Sequence, residues 1–202
     1  MAFTLAACEK DPDMGDLDAD LVVYTDHDNG ASFKDYKTYY LPDSILEAGN
    51  DYHASYWKDD NAKAVLAAVE AQMNALGYSR ITDPAKKNEA NVGVQLSYIA
   101  QNNQVFTTGG YFNGWWDYGF WGLGWGGWYY PSYYPMTYSY KTNTLIMEML
   151  DLTKKSTEGK AKIPVVWYAS ASGFQYNNRV NTQYLVQAVD QAFAQSDYLK
   201  KN

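Results

Sequence analysis

Between Val105 and Tyr140 the chain reads VFTTGGYFNGWWDYGFWGLGWGGWYYPSYYPMTYSY. Five of the seven tryptophans fall here, Trp115, Trp116, Trp121, Trp125 and Trp128, among eight glycines and a single charged residue, Asp117. No helical period and no strict alternation survives glycine at 109, 110, 114, 119, 122, 124, 126 and 127, so neither a long helix nor a long strand is expected. Ordering glycine-rich backbone costs much entropy. Burying indole and phenol rings returns a great deal, whether against protein, lipid or sugar. The stretch is therefore either a loop folded over its own domain or an aromatic patch that meets something else.

The rest of the composition narrows the partners. At 202 residues and 47% hydrophobic, the chain suits one domain with a long insertion. Its formal net charge is −7, with no basic stripe to neutralise phosphates, so no nucleic-acid partner is expected. The same charge gives no attraction to anionic lipid. The one cysteine, Cys8, rules out an intramolecular disulfide. With only His27 and His53 beside it, no zinc-type ligand set and no cofactor site is expected.

Leu5-Ala6-Ala7-Cys8 resembles a lipobox, the processing and lipidation signal of bacterial lipoproteins. The small residues fit a peptidase groove and the thiol accepts the diacylglycerol. Only seven residues precede Cys8, without the basic n-region and apolar h-region of a full signal peptide. Residues 1–8 thus read as a truncated lipoprotein signal, and residues 9–17 as a flexible acidic tether. An acidic run behind a lipidated cysteine resembles the signal that sends some lipoproteins to the cell surface. Elsewhere the aromatic stretch is long enough to span a bilayer but too rich in Gly, Tyr and Pro to do so as a helix.

Residues 18–202 read as a single α+β domain carrying the insertion 105–140. Leu21–Tyr24 predicts a strand. Asp26, His27 and Asp28 invite a metal reading, but Asp and Asn before Gly30 are better explained as turn chemistry. Alternation over Phe33–Leu41 predicts a strand ending at Pro42. A mixed loop with His53, Tyr56 and Trp57 follows. Then comes a helix, capped by Asp59 or Asp60 and stopped by Gly77, with Ala62, Val65, Leu66, Val69, Met73 and Leu76 on one face. Val92, Val94, Leu96 and Tyr98 alternate as a half-buried strand. Strands over Thr144–Leu152 and Pro164–Ala171 come next. A last helix, from about Asn181 to Ser196, is capped by Asn181 or Thr182 and carries Leu185, Ala188, Val189, Ala192 and Phe193 on one face. The expected fold is an antiparallel or mixed sheet with two amphipathic helices packed on one face.

Several words in this order resemble the bacterial lipoprotein family catalogued as domain of unknown function 4136. They are the lipobox at Leu5–Cys8, Phe33–Pro42, the helix closing on Leu76-Gly77-Tyr78, Ala90–Tyr98, the Gly/Trp/Tyr-rich stretch before Thr144–Asp151, Val166–Ala171 and a terminal helix with Phe193. Each word is weak alone; the order is the specific part, and it covers nearly the whole chain. Asn143-Thr144-Leu145 departs from the Gly-Thr-Leu common in the family at that place. The resemblance implies a lipid-anchored envelope domain of α+β fold, and it brings no activity and no catalytic residues.

Motifs of catalysis are lacking in the sequence. There is no Gly-x-Ser-x-Gly elbow, P-loop or dinucleotide fingerprint. Carboxylates for glycoside hydrolysis could be drawn from Asp26, Asp28, Asp117, Glu148 and Asp151, but Glu148 and Asp151 on one strand cannot share a face by alternation. The expectation is a non-enzymatic outer-membrane lipoprotein, periplasmic or surface-facing, held to the membrane by lipid on Cys8. Its partner contacts would be Trp115, Trp116, Asp117, Trp121, Trp125, Trp128 and Tyr129, facing an envelope protein or a glycan. The alternative is a glycan-binding protein or glycan-acting enzyme with the aromatic loop as sugar platform.

Overall fold

The computed structural model describes residues 21–48, 55–99, 105–107, 125–129, 137–139, 143–154, 161–174 and 182–201. Eleven strands and two α-helices are placed among them: β1 (Val22–His27), β2 (Thr38–Tyr40), β3 (Ile45–Ala48), β4 (Ser55–Trp57), α1 (Asp60–Ala75), β5 (Ser79–Ile81), β6 (Val92–Ile99), β7 (Val105–Thr107), β8 (Trp125–Tyr129), β9 (Thr137–Ser139), β10 (Asn143–Asp151), β11 (Ala161–Phe174) and α2 (Thr182–Ala194).

One mixed sheet runs β1-β11-β10-β6-β2-β5, with β3 also on β6, β4 on β3, and β8 on β11. The centre, β11-β10-β6, is antiparallel. β2 runs parallel to both β6 and β5, and β3 runs parallel to β6. β7 and β9 form a separate antiparallel pair.

Each helix forms because its apolar residues recur at helical spacing. Ala62, Val65, Leu66, Val69 and Met73 make the buried stripe of α1. The Asp59 carboxylate caps its start, accepting from Ala62 N at 3.0 Å. Its end is a Schellman turn: Tyr78 N donates to Met73 O at 3.1 Å and Gly77 N to Asn74 O at 2.9 Å, with Gly77 at φ +88°. In α2 the stripe is Leu185, Ala188, Val189, Ala192 and Phe193. Both helices lie on the same face of the sheet, over Val94, Leu96, Leu145, Met147, Met149, Trp167 and Ala169, in one hydrophobic cluster. Burying each large apolar side chain contributes about 1.5–3 kcal/mol. Gln72 Nε2 on α1 donates to Asp190 Oδ1 on α2 at 2.8 Å, and Trp167 Nε1 donates to Ser196 Oγ at 2.9 Å.

Asn91 sets the start of β6. Its Oδ1 accepts from Lys37 N at 2.8 Å and from Thr38 N at 3.1 Å, so one side chain ties β6 to β2.

Four features differ from the reading of the sequence. Phe33–Asp35 is a 3-10 turn, and only Thr38–Tyr40 of the expected strand is extended. Phe33 and Tyr36 are buried in the main cluster, so the turn is set by the core rather than by local alternation. Tyr56 and Trp57 belong to a strand, β4, paired with β3. β1 continues through His27, three residues beyond Tyr24. β6 is buried at all eight positions instead of every second one. Glycine accounts for one irregularity in β11: the register slips between Asn143 and Thr144, where Gly173 takes φ +110°. Asn181, a candidate cap for α2, lies outside the described residues.

Candidate functional site

The expected contact residues divide into two groups. Trp115, Trp116, Asp117 and Trp121 lie outside the described residues, as does Cys8. Trp125, Trp128 and Tyr129 fall on β8, whose backbone pairs in parallel with Ala161, Ile163 and Pro164 of β11. Among the described residues the insertion contributes three short strands.

The structure brings together a set of polar residues that, Glu148 apart, the sequence did not single out. On the sheet face away from the helices, Glu148 stands at the centre of β10, opposite Gln95 on β6 and Tyr168 on β11. One pair along, Ile146 is flanked by Ser97 and Ser170. Beyond it, Thr144 is flanked by Ile99 and Ser172. Glu148 is 3% exposed, Ser97 2%, Thr144 2% and Tyr168 1%. A carboxylate out of water costs several kcal/mol unless other groups bond to it. Glu148, Gln95, Thr144 and Tyr168 all have partners beyond those named. Ile99, Ile146, Leu150, Val165 and Tyr168 are buried too, yet stand apart from the cluster under the helices.

Asp151 points elsewhere. Its Oδ2 accepts from Tyr36 OH at 2.7 Å, and its Oδ1 accepts from Thr153 N at 2.9 Å and from Thr153 Oγ1 at 2.6 Å. Burial first, then this bond, pushes the Tyr36 hydroxyl well above the usual phenol range. Asp151 therefore anchors a turn and makes no acid pair with Glu148.

At one end of β1 lies a shallow cavity of about 370 Å³, lined by His27, Ser32, Phe33, Lys34, Asp35 and Tyr198 among others. The His27 and Tyr198 rings stack with centroids 3.7 Å apart, and Phe33 is 5.9 Å from Tyr198. Nothing in the sequence links residue 198 to residue 27; the meeting depends on the 3-10 turn at Asp197–Leu199 after α2. The acids beside His27 are engaged locally. Asp26 Oδ1 accepts from His27 N at 2.7 Å, and Asp28 Oδ1 accepts from Gly30 N at 2.9 Å. No group of three or more metal-ligating side chains occurs among the described residues.

These features define an α+β domain with two helices on one face of a mixed sheet and a buried polar seam on the other. The chain belongs to the family of domain of unknown function DUF4136, whose model matches residues 23–196. A solved DUF4136 family protein from Bacteroides thetaiotaomicron is 38% identical, overlays with a TM-score of 0.73, and covers 91% of this chain and 99% of its own. A PelC dodecamer from Paraburkholderia phytofirmans overlays with a TM-score of 0.45 at 11% identity, covering 90% of this chain and 99% of that one. A PDZ domain protein from Parabacteroides distasonis overlays with a TM-score of 0.45 at 13% identity, over 88% of this chain and 36% of that one. No curated protein matches the sequence.

Proposed function

We infer that this protein is a lipid-anchored component of the cell envelope that binds rather than catalyses, with the insertion 105–140 as its contact surface. The observation that carries this reading is the separateness of the insertion's stem. β7 and β9, near the two ends of the insertion, pair with each other in a sheet of their own. Five tryptophans in the sequence between these two strands suit a role in contact. Supporting the anchor are the lipobox at Leu5–Cys8 and the acidic tether behind it. The carboxylates of Asp28 and Asp151 serve turns, and that of Asp26 accepts from Tyr24 OH and His27 N, which leaves all three poor candidates for an acid–base pair.

The experiment has two arms. Expressed with a full signal peptide in a lipoprotein-processing bacterium, the chain should gain the mass of a diacylglyceryl group on Cys8, and Cys8→Ser should release it from membranes. Purified from Asp16 onward, it should change its tryptophan emission when titrated with liposomes, peptidoglycan fragments or oligosaccharides. That response should vanish when Thr108–Pro135 is replaced by a short Gly-Ser linker. An unmodified Cys8, or emission indifferent to all three, would sink the corresponding half of the reading. A response to oligosaccharides alone would turn it into glycan recognition.

A further inference from the structure

We propose that the cavity at the His27 end of β1 is a binding site for an uncharged sugar ring. The site is independent of the lipid on Cys8 and of whatever the insertion binds, because its lining residues lie in 27–35 and at 198.

Three rings make the wall. His27, Phe33 and Tyr198 line a cavity of about 370 Å³, within the size range of small-ligand pockets. His27 and Tyr198 stack, and Phe33 lies 6.1 Å from the first and 5.9 Å from the second, tilted to both. Their ring carbons offer apolar surface against which the C–H face of a sugar packs. The wall is fixed in advance. Phe33 is buried in the main cluster, edge-on to Tyr36. His27 is paired with Trp167 at the end of the β1–β11 ladder. Tyr198 OH shares a hydrogen bond of 3.2 Å with Ser196 Oγ, which also accepts from Trp167 Nε1 and donates to Ala192 O. Such a wall needs little further ordering when a ligand arrives.

Two tight turns make the rim. Asp28 accepts from Gly30 N through its carboxylate at 2.9 Å and from Ala31 N through its carbonyl at 3.0 Å, which holds Asn29 at the corner of a β-turn. Asp35 N donates to Ser32 O at 3.0 Å, closing the 3-10 turn that carries Lys34 and Asp35 to the cavity. The side chains of Asn29, Lys34 and Asp35 are exposed, and among the described residues they form no hydrogen bond or ion pair. Their donors and acceptors are therefore open to a ligand.

Charge selects the class of ligand. Lys34 and Asp35 are neighbours on the rim and offset each other, so the lining gives no net attraction to a phosphate or an ammonium ion. The nearby carboxylates of Asp26 and Asp28 are engaged by Tyr24 OH, His27 N and Gly30 N. Asn29 and Ser32 both donate and accept, Lys34 only donates and Asp35 only accepts. A purely apolar ligand would strip water from these four side chains and return no hydrogen bond. The ligand that matches them is uncharged, carries hydroxyls that donate and accept, and is apolar on one face. A pyranose has all three properties.

The chain has only two histidines, His27 and His53, so the imidazole resonances give a sparse readout. The full chain, labelled at histidine, is titrated at constant pH with glucose, galactose and N-acetylglucosamine; His53→Gln assigns the two rings. A saturable shift at His27 is expected with at least one of the sugars, and none with glycerol, inorganic phosphate or choline. Asp35→Ala should weaken that binding about tenfold and Asn29→Ala about threefold, as loss of a charged and of a neutral hydrogen bond does. Both positions are exposed, so thermal melting should stay as it was. Lys63→Ala, at the start of α1, should change nothing. Absence of a saturable His27 shift with all three sugars, an equal response to glycerol, phosphate or choline, or binding untouched by both rim variants overturns the proposal. His27 reports this cavity and tryptophan emission reports the insertion, so failure of one reading is distinguishable from failure of the other.

Discussion

The two faces of the central sheet are built from the same three strands and solve burial in different ways. On the helix side, Leu145, Met147 and Met149 alternate with nothing polar and meet Val94, Leu96, Trp167 and Ala169. On the other, Thr144, Ile146, Glu148 and Leu150 mix polar and apolar groups, yet they are as deeply buried. The first face is held by area and packing, which tolerate small shifts. The second must satisfy each buried hydroxyl, amide and carboxylate group by group. The helix face therefore depends on area, and the seam on the pairing of individual groups.

The contrast can be broken most directly at Trp167, which is fully buried and bonded to Ser196. Trp167→Ala should cost about 3–5 kcal/mol, read as a lower denaturant midpoint at unchanged slope. Ile146, on the seam, sharpens the comparison. Ile146→Ala should cost about 2–4 kcal/mol in the intact chain. A cost below that range would show the seam side to be the more loosely packed of the two. Asn91→Ala removes the acceptor shared by Lys37 N and Thr38 N, and should cost about 1–3 kcal/mol through the β2–β6 joint, away from both faces. At the margin of the helix face, Asp59→Ala loses the cap of α1, at about 1 kcal/mol.

The smallest effect near neutrality belongs to the tyrosines of the helix side. Burial pushes the hydroxyls of Tyr39, Tyr78 and Tyr98 up to about 12, from 10.0 in the open chain. The phenolate is the charged form, so the unfolded chain loses these protons first. Their contribution is whole below pH 10 and falls away as pH rises from 10 to 12. Thermal melting should be flat in this respect from pH 7 to 9 and drop steeply above 10, and Tyr78→Phe should lessen the drop.

Legibility followed the same divide. α1, its Asp59 cap, its Gly77 stop and the stripe of α2 could be read because helix period and end chemistry are local signals. The strands β6, β10 and β11 could be read from their apolar runs. The second burial of β6 could not, since Gln95 and Ser97 between apolar neighbours look like a wet face. Only distant sequence decides otherwise. β3 and β4 are four and three residues long, and Glu47 and Ser55 break any alternation. The seam is a product of register: Glu148, Gln95 and Tyr168 become neighbours only when three strands align. Family membership was legible because ordered words extend over most of the chain.

β1 has a further consequence, in mechanics. Among the described residues it pairs with β11 alone, through six registered positions from Val22–Ser172 to His27–Trp167. Any pull on the chain ahead of Leu21 reaches the domain through this strand. The Val22 end, most open to water, takes the load first. At the other end His27 is stacked on Tyr198, so the last rung to part is braced by the C-terminal turn. A tether at the N-terminus would thus be resisted by both ends of the polypeptide.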